Sequence, residues 1–182
     1  MYKEVKGTEA MGYLATKPTM IITTRHESHI VNAGVFGAYT NLSPSQVGVA
    51  VATSSHTYAN ILREAEFVIN VPGAAIVKAI KTLAAAVPRE ESEVEKAGLS
   101  LKDGITVGTP SIAECAAAVE LVFDKEVPVG YHSFLIGKVT GGWIRGEFLD
   151  ADGKIDIFKA RVFKDFKYPL PLYVTPGEVV EG

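Results

Sequence analysis

The sequence predicts a mainly β fold, a barrel accompanied by a few short helices, and three observations carry this prediction. The chain of 182 residues contains 17 glycines and 9 prolines, as a fold with many turns requires. Short runs rich in β-branched residues recur along it, beginning with TMIITT at residues 19–24. The pair Gly141 and Gly142 interrupts a long apolar run, as a bulge or bend at a barrel corner does. The length suits a single domain spanning residues 1–182, and no linker composition or internal repeat divides it.

Composition and charge argue against several classes of protein. The formal net charge is −3 and the basic residues are thinly spread, so we expect no nucleic-acid partner. The single cysteine, Cys115, cannot form an intramolecular disulfide, and no Cys/His cluster has the spacing of a zinc site. We therefore expect neither secretion nor a bound metal. No segment approaches the ~20 apolar residues of a membrane helix, and no signal-peptide core is present, so we expect a cytoplasmic protein without membrane association.

The apolar runs predict the strands. Residues 19–24 and 29–32, separated by the polar segment RHES, predict a hairpin. Residues 47–53, VGVAVAT, are apolar at nearly every position and predict a central strand that is buried on both faces. Residues 67–71 predict a short strand, and residues 116–127 and 133–144 predict two long ones.

Two segments predict helices between these strands. Residues 57–66 form an apolar stripe at helical spacing, with charged residues on the other side. Residues 74–86 keep helical spacing in their apolar positions, follow the strand-ending pair Pro72 and Gly73, and end before Pro88.

The segment SSHTYANI, residues 54–61, predicts an anion site. It follows the apolar strand at 47–53 and opens the first helix, where free backbone N–H groups and the positive end of the helix dipole favour a phosphate. The side chains that could assist are Ser54, Ser55, His56, Thr57 and, one turn further along, Asn60. The alternative is that Ser55 or Thr57 serves only as a helix cap, which is a common use of hydroxyl residues at this position.

The preceding segment NAGVFGAYTN, residues 32–41, is rich in small residues. Gly34, Gly37 and Ala38 would let a flat ligand approach the backbone, and Tyr39 and Thr40 would supply aromatic and polar edges. The alternative is a loop whose glycines serve only turn geometry. No dinucleotide-binding fingerprint is present in the chain.

Together these segments resemble the flavin reductase-like, FMN-binding split-barrel family, which includes the flavoredoxins. The matching pieces are Asn32, Gly37, Thr40 and Asn41, the following LSP, SSHTYANI, and the short strand ending at Asn70. The resemblance continues through AGLSLKDG, TPSIAECAAAVEL and VGYHSFLIGKV and ends near PLPLYV, so it covers nearly the whole chain.

The resemblance implies a six-stranded antiparallel split β-barrel of Greek-key type, dimeric, with FMN near the subunit interface. The loop NAGVFGAYT would line the isoalloxazine through main-chain groups, and SSHTYAN would bind the ribityl phosphate. His132 would lie behind the site or serve the structure. Gly37 stands where many relatives carry Ser, and His56 stands at an often basic position, where a phosphate dianion favours the imidazolium. The cofactor-binding residues so implied are Asn32, Gly37, Ala38, Tyr39, Thr40, Ser54, Ser55, His56, Thr57 and Asn60.

The resemblance implies an FMN-dependent oxidoreductase, first of all an NAD(P)H-dependent flavin reductase. The flavin would carry the redox chemistry, with NADH or NADPH as donor, so no catalytic side chain is assigned. One alternative is a flavoredoxin-like electron carrier that receives electrons from a protein partner and does not oxidise NAD(P)H. A further alternative is a small barrel of oligonucleotide-binding type that is ligand-free or binds nucleic acid, which the acidic balance of the chain and the lack of an aromatic and basic stripe disfavour.

Overall fold

The computed structural model describes residues 17–166 and 170–179, and within them one antiparallel sheet dominates. Its seven strands lie in the spatial order β3-β2-β6-β9-β10-β5-β4. Their bounds are β2 (Met20–Arg25), β3 (Val31–Phe36), β4 (Tyr39–Ser43), β5 (Gln46–Ala52), β6 (Glu66–Val71), β9 (Ala117–Val129) and β10 (His132–Ile144). Two small sheets accompany it, one formed by β1 (Lys17–Pro18), β11 (Lys164–Asp165) and β12 (Tyr173–Val174), the other by β7 (Leu101–Lys102) and β8 (Ser111–Ile112).

The two edge strands of the main sheet, β3 and β4, are consecutive in the chain. Only Gly37 and Ala38 separate them, and the Ala38 carbonyl accepts a hydrogen bond from the Ala50 N–H of β5 at 2.9 Å. A two-residue link can join opposite edges only if the sheet curls so that these edges meet. The predicted mainly β barrel is thus confirmed. Its strand count is seven instead of six, and becomes six if residues 31–43 are counted as one bent strand.

Residues 32–41 are largely strand, so the expectation of a loop there is wrong. The whole of β3 pairs with β2, from Met20 opposite Phe36 to Arg25 opposite Val31. Gly34 is tolerated within this strand because the Phe36 ring and the Thr57 hydroxyl occupy the space that a side chain would need. A Cβ placed on Gly34 would lie 2.7 Å from the ring and 3.2 Å from the hydroxyl oxygen.

The long hairpin β9-β10 forms the centre of the sheet. Gly130 takes a positive φ of 58° in its turn, and the register shifts between Val139 and Gly141. The backbones approach closely here, since a Cβ on Gly142 would lie 2.4 Å from the carbonyl oxygen of Ala118. The irregularity expected from the glycine pair is therefore present, and it requires glycine for a steric reason.

Two apolar clusters occupy the two faces of the sheet. One lies inside the barrel around Met20, Ile22 and Phe67, and the other lies under the helical layer around Ile21 and Phe163. Consecutive residues of β2 thus enter different clusters, and β2 is buried on both faces. The expectation that residues 47–53 are buried on both faces is wrong, because Val49 and Val51 are fully buried whereas Ala50 and Ala52, on the other face of β5, are only partly buried.

The helices are short. Helix α1 (His56–Glu64) begins one residue before and ends two residues before the predicted bounds, and Ala65, with a φ of 57°, leads directly into β6. The predicted helix at 74–86 is instead a 3₁₀ helix (Ala74–Ala79) followed by one turn, α2 (Ile80–Leu83), because no large apolar residue follows Leu83 to hold another turn against the core. The other helical segments within residues 17–166 and 170–179 are α3 (Glu93–Lys96), a 3₁₀ turn (Gly146–Phe148) and α4 (Ile157–Ala160). No helix in the described part of the chain is long and apolar enough to cross a membrane.

Candidate functional site

Two adjoining cavities lie along strand β3. The larger cavity has a volume of about 560 Å³ and the smaller cavity about 280 Å³. Val35, Phe36 and Ala84 line both, so the two cavities adjoin, and together they are called the cleft between the barrel and the segment around α2. Such a cleft is suited to an extended ligand with two chemically different ends.

The larger cavity is lined mainly by apolar and small residues. Gly37 and Ala38, predicted to face a cofactor, lie on its wall at the corner between β3 and β4. The polar side chains on this wall were not assigned to the cofactor by the sequence analysis: Lys17, Thr19, Lys81, His132, Asp165 and Tyr173. His132 thus lines the cavity itself, not a layer behind it. Its neighbour across the sheet, Ala52, comes from β5, whose Ala50 also faces the cavity.

Tyr39 and Thr40 lie away from the cleft. Beyond the corner, Tyr39 on β4 lines two other cavities, of about 260 and 710 Å³, and Thr40 is exposed. The structure therefore does not bring these two residues to the larger cavity, and their assignment to the cofactor stays a prediction.

The smaller cavity collects most of the predicted anion-binding residues. Its wall includes Ser54, Ser55, His56 and Thr57 at the start of α1, and Asn32 on β3. The N–H groups of His56 and Thr57, which belong to the first turn of the helix, have no hydrogen-bond acceptor within residues 17–166 and 170–179. The helix thus presents two backbone donors at this end of the cleft.

Ser55 caps the helix, as the alternative in the sequence analysis held. Its hydroxyl donates to the carbonyl oxygen of Ala52 at 2.8 Å and accepts the N–H of Tyr58 at 3.1 Å. Its proton is therefore already used within the protein. A ligand at this position would meet the backbone around Ser55 more readily than its side chain.

Asn60 does not reach the cavity, contrary to the expectation. Its side chain is completely buried on the side of α1 that faces β2. There the amide nitrogen donates to the Thr24 hydroxyl at 3.0 Å and lies 3.2 Å from Nδ1 of His26. Its amide oxygen accepts a hydrogen bond from Arg63 at 3.3 Å. Asn60 therefore connects α1 to strand β2 through this buried hydrogen bond.

Asn32 belongs to the same buried network. Its amide nitrogen lies 3.1 Å from the Thr24 hydroxyl and 3.0 Å from the Thr57 hydroxyl. Only 3% of Asn32 is exposed, and it touches the edge of the smaller cavity. A hydrogen-bonded unit of Thr24, Asn32, Thr57 and Asn60 thus connects two strands to the helix start.

Two further titratable groups adjoin the smaller cavity. His26 is buried, and its ring meets that of His56 edge-on with the ring centres 5.2 Å apart. Burial lowers the pKa of His26, as do the positive charges of His56 and Arg89, so this ring is held neutral. Burial also raises the pKa of Glu93, whose carboxylate lines the cavity and accepts the Ala33 N–H at 2.9 Å. Neither residue stood out in the sequence, because both come from segments that are polar and resemble ordinary loops.

Comparisons with known proteins agree with this architecture. A family model described as the flavin reductase like domain matches residues 11–166. An uncharacterized protein of Halalkalibacterium halodurans is 31% identical over 159 residues, which cover 80% of this chain and 76% of the relative.

Two solved structures resemble the fold closely. Nitrilotriacetate monooxygenase component B from Bacillus cereus superposes with a TM-score of 0.87 at 21% identity, covering 100% of this chain and 98% of that chain. Flavoredoxin of Desulfovibrio vulgaris (Miyazaki F) superposes with the same TM-score of 0.87 and 21% identity, covering 100% and 97%. At this identity the two structures establish the fold, and the match over residues 11–166 establishes the family. The chain therefore belongs to the flavin reductase-like family of flavin-binding oxidoreductases.

Proposed function

We propose that the cleft binds FMN, with the isoalloxazine in the larger cavity and the ribityl phosphate in the smaller cavity. The observation that carries this proposal is the chemical difference between the two adjoining cavities of the cleft. One end is apolar and walled by small residues, and the other presents helix N–H groups and a hydroxyl to an anion.

The phosphate end supplies hydrogen-bond donors. The N–H groups of His56 and Thr57 and the Thr57 hydroxyl face a phosphate together, and the His56 ring adds positive charge when it is protonated. Glu93 is the unfavourable group at this end, since a buried carboxylate repels an anion. Its raised pKa reduces that repulsion, because the protonated carboxyl carries no charge.

The ring end supplies shape. Gly37 and Ala38 let the flat ring approach the backbone, while Phe36 and Ile80 close the cavity against water. When bound, FMN supplies a centre that accepts hydride and passes electrons on. The protein holds the ring in place and leaves one side of the larger cavity for an electron donor.

We propose further that the electron donor is NADH or NADPH, which makes the protein an NAD(P)H-dependent flavin reductase. Lys17 and Lys81 line the larger cavity and suit the phosphates of an anionic dinucleotide. A flavoredoxin-like carrier that receives electrons from a protein partner is the second candidate, favoured by the fold shared with flavoredoxin of Desulfovibrio vulgaris.

Anaerobic stopped-flow mixing separates these two functions. Protein loaded with FMN is mixed with NADH or NADPH, and the flavin absorbance near its visible maximum is followed. Loss of absorbance with either nucleotide supports the reductase. A flavin that stays oxidised with both, yet is reduced by dithionite, supports the carrier. A purified protein that is colourless and takes up no FMN contradicts the proposal as a whole.

We also propose a homodimer. A separate apolar groove of about 710 Å³ is lined in part by Tyr39, Trp143, Ile144, Leu149 and Ile157. A second copy of the chain would cover these partly exposed side chains. Light scattering during size-exclusion chromatography tests this directly, since a mass of one chain at micromolar concentration contradicts it.

A further inference from the structure

The hydrogen bond from Asn32 determines whether the Thr57 hydroxyl acts as a donor or an acceptor toward its other neighbours. The amide nitrogen of Asn32 lies 3.0 Å from the Thr57 oxygen, and a nitrogen of this kind can only donate. The Thr57 oxygen therefore accepts, and its own proton remains to be donated elsewhere.

The smaller cavity is where that proton can go. Within the described residues, the Thr57 hydroxyl donates no hydrogen bond to another protein group. Thr57 and Gly34 both line this cavity, and a Cβ on Gly34 would lie 3.2 Å from the Thr57 oxygen. The hydroxyl thus faces the cavity as a donor.

The network beneath Thr57 cannot reorganise easily. Arg63 donates to the amide oxygen of Asn60 at 3.3 Å, and a guanidinium only donates, so the amide nitrogen of Asn60 must face Thr24. Thr24 in turn lies 3.1 Å from the amide nitrogen of Asn32. Thr24 and Asn60 are completely buried and Asn32 is 3% exposed, so water does not compete for these contacts.

We infer that Asn32 is a positioning residue that holds the Thr57 hydroxyl as a hydrogen-bond donor toward the phosphate of the cofactor. This inference rests on the proposed function. Asn32 would act on the cofactor through Thr57, because both hydrogens of its amide nitrogen are already engaged by Thr24 and Thr57, and its direct contact with the cofactor stays a prediction. The smaller cavity thereby selects a phosphate over a neutral ligand end.

The substitution Asn32→Asp tests this by reversing the hydrogen bonds that Asn32 makes to Thr57 and Thr24. A carboxylate at position 32 can only accept, so Thr57 would donate to it and present its lone pairs to the phosphate. We expect the affinity for FMN to fall about tenfold to a hundredfold, as the loss of a charge-assisted hydrogen bond implies. Riboflavin has no phosphate, so its affinity should change by less than about twofold. Both affinities are measured by quenching of flavin fluorescence.

A double-mutant cycle shows whether Asn32 acts through Thr57. Asn32→Asp should have little further effect on FMN affinity in a Thr57→Val background, whereas Thr57→Ser should bind FMN as the wild type does. Thr53→Val is the matched control, because Thr53 is an exposed hydroxyl residue before α1 that lines neither cavity. If Asn32→Asp does not fold, as a thermal melt would show, Asn32→Ala replaces it, with a smaller loss that is again confined to FMN.

Three outcomes overturn the inference. They are an Asn32→Asp variant that binds FMN as tightly as the wild type, one that loses riboflavin equally, and one whose loss persists in the Thr57→Val background. Wild-type protein that binds no flavin at all contradicts the proposed function instead, so the two failures are distinguishable.

Discussion

The backbone N–H and the hydroxyl of Thr106 both donate to the carboxylate of Glu120, at 2.6 and 2.7 Å. The N–H of Ile105 donates to its other oxygen at 2.8 Å, so one fully buried carboxylate holds a surface loop against β9. Burial alone would raise the pKa of Glu120, but the hydrogen bonds from Ile105 and Thr106 outweigh it and hold the pKa below its usual value.

We predict that Glu120→Gln destabilises the protein at neutral pH by about 1–3 kcal/mol, because an amide NH₂ would face donors that now meet a carboxylate. The folded-state pKa is depressed, so the wild-type advantage is fully present above the unfolded-state pKa of ~4.3 and is lost as the pH falls through the folded value. Urea unfolding at several pH values measures this, and an advantage that does not shrink in acid contradicts the mechanism.

Glu93 should affect the pH dependence of stability in the direction opposite to Glu120. Its pKa is raised by burial, so its charge weakens the folded state as the pH rises from the unfolded-state pKa of ~4.3 through the folded value. Glu93→Gln keeps an oxygen that accepts the Ala33 N–H and removes the charge. We predict no loss of stability at pH 7 and FMN affinity about two- to fivefold higher, on the scale of a partly screened charge. Lower affinity in a fluorescence titration would contradict the placement of the phosphate beside Glu93.

Ser55 and Thr57 should separate stability from binding. Ser55→Ala removes the helix cap and should cost about 1 kcal/mol of stability, with little change in FMN affinity. Thr57→Val should lower FMN affinity more than it lowers stability. Paired melts and titrations check both, and the reverse pattern would indicate that the Ser55 hydroxyl, not that of Thr57, meets the phosphate.

Lys81 should affect the electron donor more than the flavin. We predict that Lys81→Gln raises KM for NADH or NADPH about two- to fivefold and leaves kcat unchanged, as expected for the loss of a solvent-exposed charge contact. Lys78→Gln is the matched control, since Lys78 is exposed in the preceding 3₁₀ helix and lines neither cavity. An equal rise in KM for both substitutions would mean that the overall charge of the protein, and not a contact of Lys81, affects binding of the dinucleotide.

Gly142→Ala should destabilise the barrel by about 1–3 kcal/mol, because the new methyl group would collide with the Ala118 carbonyl oxygen. Gly146→Ala meets no atom within 4 Å and should be nearly neutral. Thermal unfolding of the two variants compares them, and equal melting temperatures would contradict the close approach.

Much of the barrel could be predicted from periodicity and turn residues. The hairpin of β2 and β3 and the long strands β9 and β10 follow from β-branched and apolar runs, which need only local information. The path of residues 32–41 could not be predicted in this way, because small residues are poor strand formers alone. They form strands here because β2 and β5 supply hydrogen bonds, and because Phe36 and Thr57 need the space beside Gly34.

In the candidate site, too, the sequence indicated local features but not those that depend on residues distant in the chain. The position of SSHTYANI after a strand correctly indicated that Ser54 to Thr57 would meet at one wall. The spacing along α1 could not show that Asn60 lies on the buried side of the helix, because Thr24 and His26 of the first hairpin decide that. Nor could the sequence show that Tyr39 lies outside the larger cavity, because the chain bends at Gly37 and Ala38 and Tyr39 then pairs with β5.

The corner at Gly37 and Ala38 also links ligand binding to the mechanics of the fold. The two edge strands of the sheet, β3 and β4, meet there, and this junction is called the seam of the barrel. A flavin bound in the larger cavity would contact the seam and hold the two strands together. Opening of the seam would then require release of the ligand, which stabilises the closed form by RT ln(1 + [L]/Kd). Amide hydrogens next to the seam, such as that of Ala50, should therefore exchange with solvent more slowly as flavin is added, while those at the far end of the long hairpin keep their rates.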